Sequence, residues 1–156
     1  MKYLTIDSPV GKLTLESQDG FITNIFFCKE QPLQVKQDLD CDVLKLTAMQ
    51  LGEYFSGTRL VFDVPIKPRG GEFFQKVWAV MVKDVPFGKT ASYGEIAIKV
   101  GSPKGARAVG MANNKNPIPI IIPCHRIVGS NGKLTGFRGG LSMKEKLLEI
   151  EGLRTG

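Results

Sequence analysis

The stretch Tyr93-Gly94-Glu95-Ile96-Ala97-Ile98-Lys99-Val100-Gly101-Ser102-Pro103-Lys104-Gly105-Ala106-Arg107-Ala108-Val109-Gly110 decides how the chain folds. Tyr93 to Val100 reads as a short helix, Gly101-Ser102-Pro103 interrupts it, and Lys104 to about Asn114 reads as a second helix. Ser102 is expected to cap that second helix, with Pro103 at its first position, where a missing N–H costs nothing. Two short helices joined by a glycine-containing turn resemble a helix-turn-helix. The second helix presents Lys104, Arg107 and Lys115 beside the small residues Gly105, Ala106, Ala108, Gly110 and Ala112. Small residues admit close approach to a groove while basic ones face phosphate, although the same composition suits tight helix packing.

Upstream, Phe73, Phe74, Val77, Trp78 and Met81 give one apolar helical face that stops before Pro86-Phe87-Gly88, and Trp78 at that spacing is a core residue. The stretch Val64-Pro65-Ile66-Lys67-Pro68-Arg69-Gly70-Gly71 continues neither helix nor strand, so a linker falls there and divides the chain into residues 1–67 and 68–156. Near the N-terminus, Tyr3-Leu4-Thr5-Ile6 and Lys12-Leu13-Thr14-Leu15-Glu16 alternate around the turn Asp7-Ser8-Pro9-Val10-Gly11 and predict a hairpin. Phe21 to Phe27 adds a third strand after Asp19-Gly20. Val43, Leu44, Leu51, Tyr54 and Phe55, with Thr47 on the same stripe, then mark an amphipathic helix ending at Gly57. The order is that of an α+β protein.

Downstream, Ile118-Pro119-Ile120-Ile121-Ile122-Pro123 is too proline-broken for a helix and too apolar for a surface loop, which predicts a buried extended segment delivering Cys124 and His125. Ser130-Asn131-Gly132-Lys133 is a hairpin-turn signal between Ile127-Val128 and Leu134-Thr135, giving a wing after the helix-turn-helix. Ser142-Met143-Lys144-Glu145 has the form of a capping box for a last helix, whose apolar residues Met143, Leu147, Leu148 and Ile150 face the core.

The net charge of +6 is uneven. Residues 1–67 carry 7 Lys and Arg against 9 Asp and Glu, whereas residues 68–156 carry 14 against 6. The basic half has the electrostatic footprint of a polyanion partner. No run approaches the roughly 18 to 20 apolar residues that span a bilayer, and Met1 to Asp7 lacks the apolar core of a secretory signal, so the expected compartment is the cytoplasm. Cys28, Cys41 and Cys124 lie 13 and 83 residues apart and form no C-x-x-C pair, which speaks against a disulfide framework. His125 is the only histidine, so a zinc site built from close Cys and His pairs is not expected.

A free thiol has a pKa near 8.5, and a nucleophilic cysteine needs a base or a positive field to raise its thiolate share. His125 is the available base. Neighbours on an extended chain point in opposite directions, so a bridging water is the more plausible link from Cys124 to His125. A carboxylate should orient the imidazole, and Glu149 and Glu151 are the candidates.

The segment Asn116-Pro117-Ile118-Pro119-Ile120-Ile121-Ile122-Pro123-Cys124-His125-Arg126-Ile127-Val128 resembles the signature of the O6-alkylguanine-DNA alkyltransferases, also called methylated-DNA–protein-cysteine methyltransferases. The similarity extends through residues 72–152, including Ala91-Ser92-Tyr93-Gly94-Glu95-Ile96-Ala97, Ala106-Arg107-Ala108-Val109-Gly110 and Gly139-Gly140-Leu141, and Asp7-Ser8-Pro9-Val10-Gly11-Lys12-Leu13 is similar to the family's N-terminal domain. The resemblance implies a ribonuclease-H-like N-terminal α/β domain and a winged helix-turn-helix-like C-terminal domain that binds DNA and holds the active site. It implies that Cys124 accepts the alkyl group of O6-alkylguanine, and of O4-alkylthymine, with His125 as base through water, Glu151 as the carboxylate of the relay and Asn116 tying the helix-turn-helix to the active-site segment. Tyr93 would help rotate the target nucleotide and protonate the departing base, and Arg107 would fill the vacated stack. Ser92, Lys104, Ala106 and Arg126 are further candidate DNA contacts, and Ile127, Phe137 and Arg138 candidate pocket residues.

The chemistry fits, because an alkylated oxygen inside a duplex must be brought out before a thiolate can reach it. The resulting thioether is inert, so each molecule would act once, as a monomer on double-stranded DNA, with no cofactor. Arg138 is bulky and basic where some relatives carry a small hydroxyl residue, which bears on the width of the pocket. Three rival readings are a DNA-binding module without an acceptor, a cysteine hydrolase and a zinc deaminase. The first is opposed by Cys124, the second has only the Cys and His pair, and the third needs a second cysteine where Ile127 stands.

Overall fold

A computed structural model of the chain describes residues 1–153. It contains two compact units that meet between Arg69 and Gly70. In the first, β1 (Lys2–Ile6), β2 (Lys12–Gln18) and β3 (Phe21–Cys28) form an antiparallel sheet in the order β1-β2-β3. Gln37 bridges to Tyr3 and Ile66 to Ile22, both in parallel, so each edge of the sheet is partly covered. Leu13 and Leu15 of β2 and Ile22 and Ile25 of β3 are fully buried. Helix α1 (Asp42–Phe55) buries Val43, Leu44, Thr47, Gln50, Leu51 and Tyr54. The sequence stripe is thus the packed face, and Thr47 remains on it because its hydroxyl donates to the Val43 carbonyl at 2.7 Å.

The second unit opens with α2 (Glu72–Asp84), on which Val77, Trp78 and Met81 are buried. The Trp78 indole N–H donates to the Ala112 carbonyl at 2.9 Å and so ties α2 to the end of the second short helix. A short strand β4 (Ala91–Ser92) leads into α3 (Tyr93–Lys99), followed by α4 (Ala106–Asn114). Ser92 and Glu95 make a reciprocal capping box at the start of α3. Next come a 3-10 turn, Cys124–Arg126, then β5 (Ile127–Val128) and finally α5 (Leu141–Ile150). Among the described residues no helix is long and apolar enough to cross a membrane.

Four local expectations change. Helix α4 starts at Ala106, capped by Gly105, rather than near Pro103, because Gly105 N–H donates to the Ser102 carbonyl at 2.7 Å and closes a separate turn. A Cβ on Gly105 would lie 2.7 Å from the Ser102 hydroxyl oxygen, so this turn excludes larger residues. Helix α5 likewise begins at Leu141 with no side-chain cap, leaving Ser142 inside the first turn. Gly140, at φ 97°, makes the chain reversal one residue earlier in a conformation that favours glycine. The turn at Ser130 to Lys133 forms, with Gly129 N–H donating to Lys133 O at 2.9 Å, but no wing hairpin follows. Ile127 and Val128 instead pair in parallel with Ala91 and Ser92, and the Ile127 and Thr135 carbonyls both accept from Lys144. Lastly, the segment from Ile118 to Pro123 is buried but curled, with Ile122 N–H donating to Ile118 O at 3.0 Å.

Leu51 sits at zero exposure in the first unit. Leu51→Ala should cost about 2–5 kcal/mol, read as a lowered urea midpoint, and a midpoint equal to the parent's would show that this face is not packed as described.

Candidate active site

Cys124, His125 and Arg126 lie on the 3-10 turn, all buried, and Glu151 stands at the C-terminal end of α5. This turn replaces the extended path expected of the segment. One Glu151 oxygen accepts from Arg126 Nε at 2.8 Å and from Gly88 N–H at 3.1 Å, and the other from His125 Nε2 at 2.5 Å and Arg126 Nη2 at 3.1 Å. Burial alone would raise the Glu151 pKa, but the hydrogen bonds from His125 and Arg126, the charge of Arg126 and, once it is protonated in acid, that of His125 outweigh it and hold the carboxyl at about 2. An ionised carboxylate only accepts, so His125 carries its proton on Nε2. Burial pushes His125 below its ordinary 6.5 in spite of Glu151, so the imidazole is neutral at neutral pH. Its Nδ1 is buried with no hydrogen-bond partner among the described residues, which leaves a basic lone pair on the ring edge opposite Glu151.

Asn116 secures the approach to the thiol. Its side-chain N–H donates to the Ile122 carbonyl at 2.8 Å and its oxygen accepts from Ile118 N–H at 2.9 Å, bracketing the curled segment. Ile120, inside that bracket, is 1% exposed and has φ 76°, a strained conformation for a β-branched residue. Burial raises the Cys124 pKa, while Asn116 and the charges of Arg138 and Lys144 act to lower it. Lys144 itself is fully buried, and burial brings it down to about 8.

The family model described as 6-O-methylguanine DNA methyltransferase, DNA binding domain, matches residues 72–153, and that of the ribonuclease-like domain matches residues 1–68. The chain belongs to the 6-O-methylguanine DNA methyltransferase family. It is 45% identical over 151 residues to the methylated-DNA–protein-cysteine methyltransferase of Mycobacterium tuberculosis, covering 96% of this chain and 91% of the relative. It is 43% identical over 155 residues to the protein of the same name from Methanosarcina acetivorans, covering 97% and 99%. The crystal structure of Mycobacterium tuberculosis OGT in complex with DNA superposes with TM-score 0.88 at 44% identity, covering 97% of this chain and 92% of that one.

In this member of the family, the structure brings Cys124, His125, Glu151 and Asn116 together and leaves Glu149 exposed. Arg107 is exposed in the first turn of α4 and Lys104 is exposed in the turn that precedes it, with Ala106 half-buried between them. Ser92 is half-buried, its hydroxyl accepting from Glu95 N–H. Tyr93 starts α3, and its hydroxyl meets that of Thr135 at 2.6 Å. Arg126 does not take the DNA-facing place expected of it: it is 6% exposed and holds Glu151 and the Val85 carbonyl. Ile127 is fully buried, Phe137 half-buried, and Arg138 near enough to influence Cys124. Sequence reasoning passed over Lys144 and Thr135. Lys144 had a signal, since with Met143, Leu147 and Leu148 it repeats the i, i+1, i+4, i+5 pattern of the buried face of α2.

Glu151 titrates at about 2 in the folded protein against an ordinary 4.5. Between those values the unfolded chain binds more protons, so the stability this group contributes is complete above pH 4.5 and is lost as pH falls through about 2. His125, also lowered from 6.5, adds a loss in the same direction that begins below pH 6.5. Urea unfolding of the parent should weaken steadily from pH 6.5 downward, and Glu151→Gln should flatten the portion below pH 4.5. A Gln variant with the parent's full acid slope would contradict the assignment.

Proposed function

We propose that the chain repairs DNA by direct reversal, transferring an alkyl group from O6-alkylguanine, and from O4-alkylthymine, irreversibly to its own Cys124. The observation that carries this reading is the neutral His125, fixed through Nε2 by an ionised Glu151 and presenting a buried basic Nδ1 on the turn that holds Cys124. The family membership and the relatives' names supply the substrate class.

Cys124 passes its proton through a bridging water to His125 Nδ1, and Glu151 stabilises the imidazolium that results. The sulfur then displaces guanine from the alkyl carbon in line. Each protein molecule acts once, as a cytoplasmic monomer on double-stranded DNA. Exposed Arg107 and Lys104 face the duplex together with Ser92 and Ala106, and Tyr93 turns the damaged nucleotide outward. Ile127, Phe137 and Arg138 border the pocket. A module that binds alkylated DNA without reacting is disfavoured by Cys124 and its relay.

After incubation with a duplex containing O6-methylguanine, intact mass should rise by one methyl group located on Cys124. Cys124→Ala should abolish the gain while leaving DNA affinity within a few-fold, and a gain retained in that variant would place the acceptor elsewhere.

Arg107 is assigned the gap left by the flipped nucleotide. Flipping costs a few kcal/mol, and a planar guanidinium recovers part of it by stacking and hydrogen bonding to the unpaired base. Arg107→Ala should slow duplex repair by at least about tenfold, the effect of 1.4 kcal/mol, while hardly changing reaction with free O6-benzylguanine. Equal slowing on both substrates would assign the residue to the fold or the thiol instead.

A further inference from the structure

The hydroxyl of Tyr93 has a partner 42 residues away in the chain, Thr135 Oγ1, at 2.6 Å. The two residues sit on unlike supports. Tyr93 is the first residue of α3, and its ring lies against α4, where a Cβ on Gly110 would stand 3.9 Å from it. Thr135 belongs to the irregular segment between β5 and α5. That segment is held from below by Lys144, whose ammonium donates to the Ile127 carbonyl at 2.5 Å and to the Thr135 carbonyl at 3.4 Å.

Lys144 is 0% exposed and has no carboxylate partner among the described residues, an uncommon situation for a lysine. Two of its three N–H donors go to the backbone at either end of the stretch that leads from the Cys124 turn to Thr135. One ammonium therefore fixes the distance between the Cys124 turn, through Ile127, and the hydroxyl that meets Tyr93.

We propose that Thr135, seated on Lys144, is a positioning residue that aims the Tyr93 hydroxyl proton at the departing base. The proposal rests on the alkyl-transfer reading above. A phenol carries one proton, and in a hydroxyl pair either oxygen can be the donor. If Tyr93 donated to Thr135, its proton would be occupied. When Thr135 donates to the Tyr93 oxygen, the tyrosine proton is free to point at the base. The β-branched side chain of threonine has few χ1 rotamers, which suits it to hold that direction.

In the transfer step the Cys124 sulfur forms a bond to the alkyl carbon and the carbon–O6 bond breaks, its electron pair passing to guanine. The Tyr93 proton moves to a ring nitrogen of the guanine. The Thr135 hydroxyl supports the negative charge left on the tyrosine oxygen, as a preorganised donor does at a developing oxyanion. The proton that Cys124 gave to His125 finally restores Tyr93, so one proton moves in net terms from thiol to guanine.

The test measures single-turnover methyl transfer from an O6-methylguanine duplex for the parent, Thr135→Val, Thr135→Ser, Tyr93→Phe and the Tyr93→Phe/Thr135→Val double variant. The pH dependence of Cys124 alkylation by iodoacetamide is followed in each. Thr135→Val should slow transfer about tenfold and Thr135→Ser no more than about threefold, with the iodoacetamide profile unchanged. In the Tyr93→Phe background the valine should add nothing, because the hydroxyl it supports is gone. Parent-like transfer by Thr135→Val, or valine and phenylalanine effects that multiply, would overturn the proposal. So would an altered iodoacetamide profile, which would make Thr135 a support of the thiol. A parent that alkylates with iodoacetamide yet takes no methyl from the duplex would instead overturn the functional reading itself.

Discussion

The Glu151 carboxylate is the point on which the second unit turns. It has no exposed side-chain surface, and it receives the imidazole of His125, the guanidinium of Arg126 and the N–H of Gly88. Three stretches remote in sequence thus converge on one charge: the loop after α2, the turn that carries Cys124, and the end of α5. An isolated buried carboxylate would be too costly to ionise, and the paired cation and the hydrogen bonds reverse that balance. Ionisation then dictates the rest, because a carboxylate that can only accept leaves His125 a single tautomer and turns its Nδ1 into the basic edge. Arg126 is a structural partner of this charge, which is why it cannot also reach phosphate.

Elements built on a local period were legible in the sequence. The stripes of α1 and α2 and the alternation of β1, β2 and β3 reflect burial on one face, a property that neighbouring residues encode by themselves. The contact between the histidine beside Cys124 and a carboxylate near the end of α5 could also be anticipated, since the chain has one histidine and few acids at that end. What could not be read depended on partners distant in sequence. The turn at Ser130 to Lys133 forms as its residues demand, yet the hairpin fails because Ile127 and Val128 find β4 and because Lys144 takes the carbonyls on both arms. Lys144 was hidden by its own chemistry: its position is that of a core residue, while its side chain argues for the surface.

The thiol is placed under opposing influences. Burial favours the neutral form of Cys124, whereas Asn116, Arg138 and Lys144 favour the thiolate. Burial prevails and favours the neutral thiol, whereas the thiolate is the reactive species. In the proposed reaction the thiolate is generated in place, with His125 as the base. The two Asn116 hydrogen bonds bracket the segment before the turn and hold Ile120 in its strained conformation.

Lys144 shows how far function has shaped this interior. Its pKa of about 8 lies below its ordinary 10.5, so between those values the unfolded chain binds the additional proton and stability increases as pH rises. At neutral pH, therefore, burying the ammonium weakens the fold, and an apolar side chain of similar length would be expected to hold α5 at least as well. Its presence is explained by what an apolar side chain cannot do. It gives two backbone carbonyls a common donor and sets a positive charge near the acceptor sulfur, and it fixes the loop that carries Thr135. Stability is lowered at Lys144, while Leu147 and Leu148 on the next turn supply the ordinary hydrophobic anchorage that makes this tolerable.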